Sequence, residues 1–318
     1  MSHFSHLRRA QRAVAVGAAV GAAVVGAGAP ATRAMSPALR PAPLYGVTVD
    51  ELRNLSETVR ALAALPVRAV TRVYLDAHLP LAYYEPRVAR IHAVSGVMAE
   101  LLDSSDERMT STAALRGRVI SYLSGLGHSV DIWEVGNEVN GAWAGAPTAV
   151  EAKLRVAYDL VHAAGRATAL TLYANDFGPN HCGDGHAELT PLQFARRYIP
   201  AAVRLGLSYV LLSYYPTQCG GLEPTASQLR AHLVRLHALF PRSRLGFGEL
   251  GLPRPTTKLT LTRAEQIMRW GYGLNPNLGY YAGGYFWWYA AEDALRPSGP
   301  LSAQLSNALK LEQRALGG

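Results

Sequence analysis

Two glutamates stand at the ends of short apolar runs in this chain. Asp131-Ile132-Trp133-Glu134-Val135-Gly136-Asn137-Glu138 ends on one, and Leu245-Gly246-Phe247-Gly248-Glu249-Leu250-Gly251 carries the other. A glutamate is out of place at a buried strand end unless it is paired or used. Two carboxyls that converge on one cleft can divide a reaction between them. The protonated one gives its proton to a leaving oxygen, and the ionised one attacks the carbon that loses it. Glycosidic bonds are cut this way, provided the surroundings push the two pKa values apart. Alone, Glu138 reads as a surface residue of a loop and Glu249 as a helix cap or a salt-bridged residue. Together, each closing a strand, they point to chemistry. Glu134, four residues before Glu138 and deeper in its strand, reads as a structural polar residue.

The elements that would bring these residues together follow from periodicity. Short β-rich runs alternate with longer helical patterns from residue 44 to the end. Strands are predicted at Leu44–Val49, Ala69–Leu75, Gly96–Leu102, Val130–Gly136, Ala169–Ala174, Tyr209–Tyr215, Arg244–Glu249 and Gly284–Tyr289. Helices are predicted at Asp50–Leu65, Thr148–Ala164, Thr190–Leu205, Thr225–Leu239 and Thr262–Gly273. The first has Leu52, Leu55, Val59 and Leu62 at helical spacing. Thr148 with Glu151, and Thr262 with Glu265, have capping-box spacing, and Pro191 suits a first helical turn. Strands alternating with helices imply parallel pairing through right-handed crossovers. Eight such units predict a single-domain α/β fold, the (β/α)8 TIM barrel, over residues 44–318. The rival, an open doubly wound sheet, lacks a Gly-rich phosphate loop after the first strand. In a barrel of this kind the site forms where the strands end, so both glutamates would reach one mouth.

Asn137-Glu138 after a fourth strand, with Glu249 ending a seventh, resembles the clan A superfamily of glycoside hydrolases. The individual family within the clan is not assigned. The resemblance implies that Glu138 is the acid/base, Glu249 the nucleophile, and Asn137 a partner of the sugar 2-hydroxyl. It often places a tyrosine or histidine from the end of strand six beside the nucleophile, and Ser213-Tyr214-Tyr215-Pro216 stands there. It places a tryptophan from strand eight under the sugar, and Phe286-Trp287-Trp288-Tyr289 stands there. Adjacent residues of a regular strand face opposite ways, so only one of each pair can serve; the expectation is Tyr214 and Trp287. Arg72, in the second strand, corresponds to an arginine near the nucleophile, with an ordinary salt bridge as the alternative. Trp143, in the loop after strand four, suits an outer sugar subsite because aromatic faces stack on sugar rings, with loop packing as the alternative. Trp133 reads as core. Asn175 and Asp176, after strand five, either touch substrate or cap a loop.

The N-terminus predicts export. MSHFSHLRRAQR is basic without an acidic residue, an apolar run from Ala13 to Ala29 follows, and Ala29-Pro30-Ala31 offers a small-residue cleavage site. Residues 1–31 therefore read as a signal peptide and residues 32–43, rich in Pro and Ala, as a linker. The Ala/Gly-rich run is a marginal membrane span, so no stable insertion is expected after cleavage. Arg8-Arg9 suggests a twin-arginine signal, but Arg12 occupies a position usually apolar. The implied location is secreted, periplasmic or at the cell envelope. Cys182 and Cys219 would then pair as a disulfide, worth roughly 3–4 kcal/mol of unfolded-chain entropy. The segment Asn180-His181-Cys182-Gly183-Asp184-Gly185-His186 holds metal-ligand types without a metal-site spacing, so neither a metal nor another cofactor is expected. With 49% hydrophobic and 17% charged residues the chain is globular. Its formal charge of +8 is scattered, without basic blocks and interleaved aromatics, which argues against nucleic acid. The expected partner is an oligo- or polysaccharide, met by a monomeric retaining O-glycosyl hydrolase. The alternatives are a carbohydrate-binding barrel without catalysis, a transglycosylase using the same pair, and a metal-dependent hydrolase built on His181, Cys182 and His186.

Overall fold

A computed structural model describes residues 43–177, 182 and 189–317. The predicted signal peptide and all but the last residue of the predicted linker lie outside these residues. Eight parallel strands close into a barrel in sequence order: β1 (Leu44–Val49), β2 (Val70–Tyr74), β3 (Gly96–Glu100), β4 (Ile132–Gly136), β5 (Ala167–Tyr173), β6 (Tyr209–Tyr214), β7 (Arg244–Leu250) and β8 (Gly283–Trp287). Between and after them run α1 (Leu55–Ala63), α2 (Leu81–His92), α3 (Ser104–Glu107), α4 (Thr112–Leu126), α5 (Pro147–Ala163), α6 (Pro191–Tyr198), α7 (Ala201–Gly206), α8 (Ala226–His237), α9 (Leu261–Gly273), α10 (Ala290–Asp293) and α11 (Ser302–Ala315).

Two apolar layers hold the barrel. Leu44, Met98, Ile132, Ala169, Tyr209, Leu211 and Phe286 fill its interior at the N-terminal end of the strands. The opposite strand faces, with Val47, Val73, Val97, Trp133, Leu170, Leu212 and Phe247, pack against the helices. Both faces of every strand are thus buried, as parallel sheets require. Further along the inner face the lining turns polar, with Arg72, Glu100, Glu134, Thr171, Ser213 and Glu249.

The last strand closes the barrel irregularly. Gly283, Gly284, Tyr285 and Phe286 have φ of 71°, 110°, 64° and 35°, a left-handed run that only the glycines adopt at little cost. A Cβ on Gly284 would lie 2.1 Å from the Phe247 carbonyl, so backbone fills the gap where a side chain cannot. Glu312 of α11 reaches under this run and accepts from Gly284 N at 2.9 Å. Tyr272 donates its hydroxyl to the Gly46 carbonyl at 2.8 Å and accepts from Trp287 N at 3.2 Å.

Helix starts depart from expectation where proline intervenes. Pro147 takes the first turn of α5, so the cap is Ala146 and the Thr148–Glu151 box does not form. The Thr262–Glu265 box is absent too, because α9 already starts at Leu261, and Glu265 instead accepts from Gln304. Thr190 with Gln193, and Thr225 with Gln228, do form capping boxes. Pro200 divides the predicted Thr190–Leu205 helix into α6 and α7, because it lacks an N–H and crowds the preceding residue. The first predicted helix begins later than expected, at Leu55. The expected outcome for Thr225→Ala is a loss of about 1 kcal/mol of stability, whereas Thr148→Ala costs less than about 0.5 kcal/mol; urea unfolding of both variants measures the difference.

Candidate active site

Arg72 of β2 is fully buried, and its guanidinium lies among three glutamate carboxyl groups. Its Nε donates to Glu134 Oε2 at 2.6 Å and its Nη2 to Glu134 Oε1 at 3.2 Å. Nη1 donates to Glu249 Oε2 at 2.9 Å. Nη2 also sits 3.0 Å from Glu100 Oε1, close enough for ion pairing but without hydrogen-bond alignment. The strands dictate this meeting: Glu100 and Glu134 are register partners on β3 and β4. A buried guanidinium costs several kcal/mol unless its donors find anions. Glu134 is thereby explained as a structural partner of Arg72, and Thr171 donates its hydroxyl to it as well. Burial holds the Glu100 carboxyl well above the usual range against the opposing pull of Arg72.

Glu249 at the end of β7 receives a second donor on its other oxygen, the hydroxyl of Tyr215. Burial and the nearby carboxylates Glu249 and Glu138 keep that phenol protonated and therefore donating. Glu138 follows β4 with a φ of 43°, a left-handed conformation that costs a non-glycine residue of order 1–3 kcal/mol and persists only when its surroundings enforce it. Here they do. Gly141 N donates to the Glu138 carbonyl at 2.8 Å. Asn140 clamps the same loop to β5 by bonding both the N–H and the C=O of Tyr173. The Glu138 carboxyl accepts from Ser213 on Oε1 and from Ser104 on Oε2.

The two carboxyls are unequal. Burial, then the charge of Glu249, pushes Glu138 up to about 8, with the serine hydroxyls pulling back. Burial raises Glu249 less far, to about 7, because Arg72 and the Tyr215 hydroxyl favour its ionised form. On deprotonation Glu249 loses its proton first and Glu138 keeps one longer. Such a pair can present an anion and a proton donor to one substrate.

Asn137 is buried beside them. Its Oδ1 accepts from Ser104 N at 3.1 Å, and its Nδ2 has no partner among the described residues. Trp143 stands half-buried in the loop after β4, edge-on to Tyr173 at 5.1 Å, with Nε1 bonded to Ser104.

Two expectations are corrected. Tyr214 does not face Glu249: it points into the helical layer, donates to the Leu222 carbonyl at 2.9 Å and packs against Phe177. Tyr215 takes the inner position because Ser213 already occupies that face and the strand alternates. Trp287 is likewise buried outside the barrel, bonded through Nε1 to Asp293. Trp288 is the one at the mouth, half-buried, with the Arg72 guanidinium 5.2 Å from its ring and Tyr74 edge-on at 6.3 Å. Hydropathy carries no signal for either choice, since both strand faces are buried.

Cys182 and Cys219 form a disulfide with Cα atoms 4.5 Å apart, joining the segment after β5 to the turn after Tyr215. Trp133 is core. Asp176 lies 3.5 Å from His232 of α8 and so faces the helices, while Asn175 bonds the Leu189 carbonyl. His181, Asp184 and His186, the other members of the considered metal loop, lie outside the described residues. Among the described residues no cluster of three or more metal-ligating side chains occurs, and no helix is long and apolar enough to cross a membrane.

No protein-family model matches the chain, and no curated protein matches it. Solved structures do. A GH10 xylanase from Bispora sp. MEY-1, with xylobiose, aligns with a TM-score of 0.56 at 12% identity over 84% of this chain and 95% of its own. A family 1 β-glucosidase from Thermotoga maritima, in complex with isofagomine lactam, aligns at 0.56 and 11% identity over 86% and 99%. A GH5-4 broad specificity endoglucanase from an uncultured bacterium aligns at 0.55 and 16% identity over 86% of both chains. At these identities the likeness is one of architecture. The chain has the (β/α)8 fold that these clan A glycosidases share.

Proposed function

We propose that this chain is an exported, monomeric retaining glycoside hydrolase that cleaves β-linked oligo- or polysaccharides by double displacement. The observation that carries this reading is the unequal environment of two carboxyls at one barrel mouth. Glu249 is held by Arg72 and Tyr215 in a setting that favours its anion, and Glu138 in one that favours its acid. In the first step a Glu249 oxygen attacks the anomeric carbon as the glycosidic C–O bond breaks. The proton of Glu138 passes to the departing oxygen, leaving a glycosyl ester on Glu249 and an ionised Glu138. In the second step Glu138 takes a proton from water, the water oxygen attacks the same carbon, and Glu249 leaves as a carboxylate. Asn137 Nδ2, unpartnered among the described residues, is the donor for the sugar 2-hydroxyl. Trp288 supplies the apolar platform under the sugar and Trp143 an outer one. Export is supported by the disulfide on the catalytic face and by the leader-like residues 1–31.

Glu249→Ala is expected to abolish turnover while the fold survives. Glu138→Ala is expected to lower kcat/KM by roughly 10²–10⁴-fold for glycans and far less for aryl glycosides whose leaving group needs no proton. A panel of β-glycans and aryl glycosides measures this, and wild-type rates for both variants on every active substrate would sink the proposal. NMR of the first-formed product is expected to show retained anomeric configuration.

The pH profile of kcat/KM is expected to be a bell centred near neutrality. Rate rises as Glu249 ionises and falls as Glu138 loses its proton, and both groups titrate above the ordinary carboxylate range. Tyr215→Phe removes a donor to the Glu249 anion, so the acid limb is expected to move to higher pH and the rate to drop. Tyr214→Phe is expected to leave both unchanged within about twofold.

A further inference from the structure

Ser104 opens α3, in the loop after β3, and is 5% exposed. Its two donors both go to the end of β4. The backbone N–H donates to Asn137 Oδ1 at 3.1 Å, and the hydroxyl lies 3.1 Å from Glu138 Oε2. The same hydroxyl oxygen lies 2.9 Å from Trp143 Nε1. An indole N–H can only donate, and a serine hydroxyl has one proton. The Ser104 oxygen therefore accepts from Trp143, and its own proton is directed at Glu138. Without the indole the hydroxyl could rotate to other acceptors; with it, one orientation survives. The backbone contact decides a second orientation. By occupying Asn137 Oδ1 it fixes the amide with Nδ2, unpartnered among the described residues, as its open donor.

We propose that Ser104 is the positioning residue of the acid/base: with its hydroxyl oriented by Trp143, it fixes the Glu138 carboxyl and the Asn137 amide in one geometry. This rests on the glycosidase reading for its purpose but not for its physical test. Ser104 and Ser213 both donate into the carboxyl, so neither of these hydroxyls is oriented to accept the Glu138 proton, which stays available for a leaving oxygen. A hydrogen bond donated to a carboxyl favours its charged form. Ser104 therefore holds Glu138 below the value that burial and Glu249 would otherwise impose, as the opposing pull of the serines on that group indicates.

The test is a ¹³C NMR titration of glutamate carboxyls in the full chain, with Glu138 assigned by the signal lost in Glu138→Gln. In Ser104→Ala the Glu138 midpoint is expected to rise by about half a pH unit. Ser104→Thr, which keeps the hydroxyl, is expected to restore it, and Trp143→Phe, which frees the rotor, to move it in the same direction as Ser104→Ala. An unchanged midpoint in Ser104→Ala, or a Thr variant no closer to wild type than the Ala variant, overturns the proposal. This readout needs no turnover, so it stands if the chain hydrolyses nothing and only the functional reading fails. On an active substrate the alkaline limb of kcat/KM is expected to follow the same shift. The rate loss should be greater for poor leaving groups; an equal loss for good and poor leaving groups, with an unmoved limb, also overturns it.

Discussion

The buried guanidinium of Arg72 is the constraint around which the inner barrel is arranged. A cation with no exposure inside a parallel barrel must be matched by carboxyl groups from neighbouring strands, and β3, β4 and β7 each supply a glutamate to it. These contacts tie four of the eight strands together in one polar layer above the apolar interior. They also divide the work among the glutamates. Glu134 takes two of the arginine's donors and the Thr171 hydroxyl, which commits it to the lining. Glu249 takes one donor and keeps its other oxygen for Tyr215. Removing the cation would leave three buried carboxyls without a charge partner, with only the Thr171 and Tyr215 hydroxyls still donating to two of them.

Glu138 is governed by a different balance. Among the described residues no cation pairs with it, its backbone is left-handed, and its surroundings are serine hydroxyls and the field of Glu249. Such strain needs over-determined support, and the support comes from three directions: Asn140 from its own loop, Ser213 from β6 and Ser104 from the loop after β3. The two serine contacts also pull the carboxyl's proton affinity down, against the larger upward push of burial and Glu249.

The closing strand shows how backbone irregularity serves the mouth. The left-handed run from Gly283 to Phe286 lets β8 fit between β1 and β7 where carbonyls, not side chains, fill the space. Phe286 then faces the barrel interior, Trp287 the helices and Trp288 the mouth over Arg72. The disulfide from Cys182 to Cys219 braces the segments after β5 and β6, close to the turn that carries Tyr215.

The sequence by itself determined the barrel, its eight strands, and the two glutamates that end strands four and seven. Alternation of β-rich and helical runs is a local property, and a glutamate at a buried strand end is conspicuous wherever it occurs. Arg72, Asn137 and Trp143 were also legible as residues of the mouth, and the structure gathers them there. What only the tertiary structure decided was orientation. In a parallel barrel both strand faces are apolar and buried, so two adjacent tyrosines or tryptophans look alike in sequence. The choice of Tyr215 over Tyr214 and Trp288 over Trp287 follows from register with neighbouring strands. Capping failed for a related reason: Thr148 has the right spacing, but Pro147 begins the helix one residue earlier. Ser104 carried no signal at all. Its importance arises because the loop after β3 lies beside the end of β4, and that proximity exists only once the barrel has closed.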